Sequence, residues 1–241
     1  MPMTKIALGV LIALTVLVPR EAWADVTKTI CLRIPVTISD ETGHAGETGR
    51  RIRASNGRGG WKARGIEIDR VENSSGSEID SSSFPQRANT TSGCFDVQHA
   101  GVETVTIFVR TSGTLLSGNT LDVRSGSSNP SVYPVDVALG ASGGTYMAYW
   151  DTQYILPRMY AIMAYAINAF RGRYDYEDLD VHWYSSSNPA DTACSNDCIN
   201  CFSYHSGDGR ICISESFSKY KFVLAHEYGH VNLRLGIGSE A

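Results

Sequence analysis

The chain has 241 residues, 42% of them hydrophobic and 19% charged, with a formal net charge of −4. That composition supplies a sizeable core, and the acidic balance argues against nucleic acid or an anionic membrane surface as the main partner. All six cysteines lie beyond residue 30, an even set that an oxidising compartment would pair into disulfides.

Residues 1–24 read as a secretory signal peptide. Lys5 gives a short positive region, Ile6 to Val18 is an apolar run, and Ala22-Trp23-Ala24 offers a small-x-small cleavage site before Asp25. The apolar run is short of the roughly 20 residues that cross a bilayer, so export is expected rather than anchoring. The destination is extracellular, or periplasmic in a bacterium. The 217 residues left carry a net charge of −5, because Lys5, Arg20 and Glu21 are removed. None of their segments is apolar enough to span a membrane.

Residues 25–140 read as β-structure. Ile30, Leu32, Ile34, Val36 and Ile38 alternate with other residues, as do Ile66 and Ile68, then Val105, Ile107 and Val109, then Tyr133, Val135, Val137 and Leu139. Pro35 falls on the exposed phase of its strand, which favours a sheet edge. Turn-rich stretches at Asn73–Ser83 and Ser125–Pro130 separate the strands, so an antiparallel sandwich is expected. Asn73-Ser74-Ser75 and Asn89-Thr90-Thr91 have the form of glycosylation acceptors. His44 and His99 are expected at the surface. Cys31 and Cys94 are expected to pair with each other.

Gly140 to Gly144 reads as a flexible joint. After it the period changes: Met147 to Phe170 carries Tyr160, Met163, Ala164, Ile167 and Phe170 at helical spacing, with Pro157 expected to break or restart the helix. This aromatic and methionine stripe reads as core. Leu179–Tyr184 and Arg210–Ser214 read as short strands, with His182 structural. Cys194, Cys198, Cys201 and Cys212 cluster next and are expected to form two disulfides of undetermined connectivity. The alternative is a structural zinc site with His205, which the signal peptide disfavours.

His226-Glu227-Tyr228-Gly229-His230 carries the chemistry. Lys219 to Leu235 reads as a helix, with Ser218 as N-cap and Gly236 just past the last turn. On a helix, positions i and i+4 share a face, so His226 and His230 can reach one metal ion. Glu227, beside the first, is then placed to take a proton from a metal-bound water. Phe222, Val223, Ala225, Val231, Leu233 and Leu235 imply a largely buried helix, in which unpartnered histidines would be costly. The plainer alternative is a pair of core histidines bonded to backbone. Gly229, poor in a helix by about 1 kcal/mol, suggests close approach of another segment.

The segment from Val223 to His230 resembles the active-site helix of zincin metallopeptidases. The resemblance implies Zn²⁺ held by His226 and His230, Glu227 as general base, and a protein or peptide substrate. The metzincin extension is not matched, since its later positions are Leu233 and Gly236. A thermolysin- or fungalysin-like site would take a glutamate from a later helix, and the sequence stops before one. Glu240, behind Gly236-Ile237-Gly238, is the leading candidate for the third ligand, ahead of His205, Asp208 and His182. The order Lys62–Val71, Thr90–Val97, Val102–Arg110 resembles transthyretin-like or immunoglobulin-like modules of secreted proteins.

The expectation is thus an α+β protein: signal peptide 1–24, an antiparallel β-sandwich over 25–140, and an incomplete zincin-like α+β domain over 141–241. The expected function is zinc-dependent peptide hydrolysis. The alternatives are a catalytically silent extracellular binding or adhesion module and the N-terminal piece of a longer metallopeptidase.

Overall fold

The computed structural model describes residues 25–34, 61–116, 118–126, 129–150, 154–169, 178–184, 202–205, 210–214, 224 and 226–230. In chain order the strands are β1 (Thr27–Ile34), β2 (Trp61–Lys62), β3 (Ile66–Glu72), β4 (Cys94–Gln98), β5 (Thr104–Thr114), β6 (Thr120–Ser125), β7 (Val132–Ala138), β8 (Gly144–Tyr149), β9 (Leu179–Tyr184), β10 (Phe202–His205) and β11 (Arg210–Ser214). Helix α1 (Ile155–Ala169) lies between β8 and β9, and the helical residues 226–230 form α2. The class is α+β.

Two sheets build the protein. In the first, of four strands, β1 is central: β4 and then β2 run antiparallel along one edge, and β8 runs parallel along the other. The edge position expected from Pro35 therefore does not hold for β1, although Pro35 itself lies outside the described residues, as do Val36 and Ile38. A strand paired on both sides and covered on both faces needs no clean alternation. Ile30, Cys31, Leu32, Arg33 and Ile34 are accordingly all buried.

The second sheet has seven strands, in the order β10-β11-β9-β6-β5-β3 with β7 also on β5. Pairings among β3, β5, β6 and β7 are antiparallel, as the alternating strands predict. The purely antiparallel sandwich is corrected by three parallel pairings, β1 with β8, β6 with β9, and β9 with β11. Strands on either side of the expected joint at Gly140–Gly144 thus complete each other's sheets. Gly144 itself opens β8, and the Tyr146 hydroxyl donates to the Ser142 carbonyl at 2.8 Å. An open β6 edge would leave a row of unpaired amides and carbonyls, and β9 satisfies it.

One hydrophobic cluster runs through both sheets and α1, from Ile30 to Tyr228. α1 packs on β6, β2, β5 and β1, burying Met159, Tyr160, Met163, Ala164 and Ile167. These are the core positions that the helical spacing predicts. Pro157 neither breaks nor restarts α1: it lies in the first turn, where an amide hydrogen has no intrahelical acceptor to lose. Phe170 lies outside the described residues. Gly65, at φ 67°, and Gly113 lie where their backbones pass closely. A Cβ on Gly113 would collide with the Gly65 carbonyl and with the Tyr160 hydroxyl, which donates to the Arg64 carbonyl at 3.0 Å.

Cys31 and Cys94 are partners across β1 and β4 and form the expected disulfide, closing a separation of 63 residues. Replacing both with alanine is expected to cost about 2–4 kcal/mol, because the unfolded chain regains that loop's freedom. Urea unfolding of the double variant measures it, and an unchanged midpoint would show that the sheet alone fixes the pairing.

His99 is not the free surface residue expected. Its side chain is only 16% exposed, and its Nε2 lies 2.7 Å from Glu103 Oε1. Glu103 also accepts from the Ser74 amide at 2.8 Å and from the Ser74 hydroxyl. Nearby, buried Lys28 donates to the Gly101 carbonyl. The Ser74 hydroxyl, then its amide and His99, hold the Glu103 carboxyl below its usual range against the opposing effect of burial. A depressed native pKa contributes stability that is complete above the unfolded value, about 4.3, and is lost as pH falls through the native one. Glu103→Gln should therefore cost about 1 kcal/mol at pH 7, allowing for solvent screening, and nothing at strongly acid pH. Equal losses at both pH values would show that packing, not charge, carries the effect. His44 lies outside the described residues.

Candidate metal centre

Leu224 and residues 226–230 are helical, within the span that the sequence predicts. Leu224 and Tyr228, four residues apart, are buried in the central cluster and hold the helix against it. His226 and His230 each stand two residues after one of these anchors, about 200° round the helix, and both are exposed. Among the described residues of this helix Leu224, Glu227 and Tyr228 are buried and the two histidines are exposed, so the histidines do not carry the desolvation cost expected of buried positions. Phe222, Val223, Ala225, Val231, Leu233 and Leu235 lie outside the described residues. Sequence reading missed Tyr228 as an anchor, although its spacing from Leu224 was a usable signal.

The two imidazoles converge. His226 Nε2 and His230 Nε2 are 3.1 Å apart, with ring centroids separated by 4.7 Å and planes at 86°. Glu227 is 2% exposed, and its Oε1 lies 3.9 Å from His226 Nε2. Burial pushes its carboxyl above the usual range, opposed by His230 and then His226. The ligand atoms of His226, Glu227 and His230 all lie within 4.8 Å of one another, the one group among the described residues able to hold a metal ion. Two imidazoles turned toward a common point suit a borderline metal, and a carboxylate beside them suits proton transfer.

Of the other candidate ligands for this metal, only His182 has a described side chain, and it does not join this group. His182 is buried on β9, opposite Cys212 on β11, and His205 pairs with Arg210 at the edge of that sheet. Asp208, Glu240, Cys194, Cys198 and Cys201 lie outside the described residues. Cys212 is disulfide-bonded, which removes it as a thiolate ligand and sets aside the structural zinc alternative that needed it. The close approach expected at Gly229 is also absent: among the described residues, a Cβ there would meet nothing within 4 Å. No family model, curated protein or solved structure matches the chain.

Proposed function

We propose that this chain is an exported zinc-dependent peptide hydrolase. The observation that carries the reading is the 3.1 Å separation of His226 Nε2 and His230 Nε2 with the buried Glu227 carboxyl beside them. Two Zn–N bonds of about 2.0–2.1 Å at a tetrahedral angle span about 3.3 Å, so the pair needs little rearrangement to hold zinc. Bound there, zinc supplies Lewis acidity toward a water and a carbonyl oxygen.

The chain's own residues supply the rest. Leu224 and Tyr228 fix the helix, so both imidazoles present Nε2 to one point without further ordering. Glu227 takes the proton of the attacking water and returns it to the leaving amine. Its raised pKa brings the two protonation states it alternates between closer in energy. Among the described residues nothing fills the space at Gly229, next to the histidines, where a peptide would lie. Glu240 is the proposed third ligand. Export is supported by the Cys31–Cys94 disulfide and by oxidised Cys212, since such bonds persist in oxidising compartments. No helix among the described residues is long and apolar enough to cross a membrane.

The test is metal analysis and hydrolysis of fluorescent casein by the exported protein. One zinc per chain with chelator-sensitive hydrolysis is expected. Absence of both would turn the reading to a binding module.

A further inference from the structure

A second constellation lies on the first sheet, on residues unrelated to the histidine pair. Arg33 on β1 is the register partner of Lys62 on β2 and of Tyr149 on β8, so the three side chains stand in one row on one face. Arg64 follows, its amide bonded to the Lys62 carbonyl at 2.9 Å. Arg33 is 8% exposed, whereas Tyr149 is 40% exposed. One guanidinium nitrogen donates to the carbonyls of Leu32 at 2.8 Å and Ser92 at 3.0 Å; the other donates to Cys94 Sγ at 3.8 Å.

Like charges directly opposite on neighbouring strands destabilise a sheet, and a buried charge needs a counter-charge. Among the described residues none is supplied: their ion pairs involve other groups. Asp96 shares this face but pairs with position 29, about 13 Å along the strand, where it accepts from Thr29 at 2.6 Å. Lys62 is exposed, and partial desolvation, then Arg33 and Arg64, lower its pKa; burial lowers that of Arg33, partly offset by Tyr149. The basic excess continues in the sequence: Arg50, Arg51, Arg53, Arg58, Lys62 and Arg64 follow one another with no Asp or Glu between Glu47 and Glu67.

We propose that this row is an oxyanion site, in which Arg33, Lys62 and Arg64 hold a phosphate or sulfate group, free or as a sugar monoester, with Tyr149 against the sugar. Guanidinium forks match tetrahedral oxyanions, and an exposed aromatic ring offers a face to the organic part. A dianion supplies a counter-charge that no described residue supplies, where chloride supplies half of it.

The experiment is isothermal titration of the mature protein with inorganic phosphate, inorganic sulfate and glucose 6-phosphate, at ionic strength fixed by sodium chloride. Saturable binding at one site per chain is expected, weakened at least tenfold in the Lys62→Gln/Arg64→Gln double variant. It should be unchanged in His226→Ala, which separates this site from an anion bound at the metal centre and from failure of the peptidase reading. Tyr149→Ala should weaken glucose 6-phosphate alone; no loss for any probe would overturn the role of Tyr149 and assign the site to the free anion. Arg33 is avoided because its carbonyl contacts serve the fold. Lys62→Glu, which supplies the counter-charge within the chain, should instead raise Tm in anion-free buffer and remove phosphate binding. No saturable heat with any probe, or undiminished binding in the double variant, would overturn the site.

Discussion

Glu227→Gln is expected to keep metal bound and to lower hydrolysis by about 10²- to 10⁴-fold, the usual contribution of a positioned general base. His226→Ala and His230→Ala should each lose stoichiometric metal and all hydrolysis with it. The difference follows from what each side chain faces. Both histidines present Nε2 to the common point 3.1 Å from each other, while Glu227 stands back in the helix packing at 3.9 Å from His226. Neither alanine variant should unfold the chain, because the rings are exposed and the helix is held by Leu224 and Tyr228 on its other side. Metal content per chain and casein hydrolysis, measured on the same preparations, check both halves. If Glu227→Gln also empties the site, the carboxylate is a ligand and not the base; if hydrolysis survives it, another group moves the proton.

What the sequence made legible was local. The pair at positions 226 and 230 needs only the helical repeat, and β9 and β11 were bounded by clear changes from polar to apolar residues. The stripe on α1 was legible for the same reason, while Pro157 misled because its cost depends on its place in the helix. Which side of the 226–230 helix is buried was harder. Apolar residues occur all round it, and only the anchor at Leu224 and Tyr228 decides that the histidines face outward.

Pairings between distant segments were not legible. Nothing near Leu121 or Leu179 announces that they pair in parallel across 58 residues, because that choice depends on which edge remains open once β5, β6 and β7 have formed. The row of Arg33, Lys62 and Tyr149 was invisible for the same reason, its members being brought together only by the sheet register. His99 read as a surface residue because its partner is set by the turn to Glu103 and by Ser74 from another loop.

Glu240→Gln is expected to weaken zinc binding by more than about 100-fold, beyond the 10- to 100-fold range of lost supporting contacts, and to abolish hydrolysis. Two imidazoles leave a four-coordinate zinc with two further positions, and a catalytic site fills one of them from the protein. A carboxylate there offsets part of the ion's charge and leaves the last position to the nucleophile. Glu240 stands ten residues after His230, behind Gly236 and Gly238, whose wider backbone range favours a return of the chain toward the helix. Glu240→His should restore much of the affinity, since imidazole also serves zinc, whereas a merely structural role would not respond to that exchange. The metal-free Tm should be the same in all three proteins, because the contribution arises only with metal bound. Zinc titration against a competing chelator reads the affinities directly. Equal affinity in wild type and Glu240→Gln would remove Glu240 from the ligand set and direct the same substitutions to His205 and Asp208.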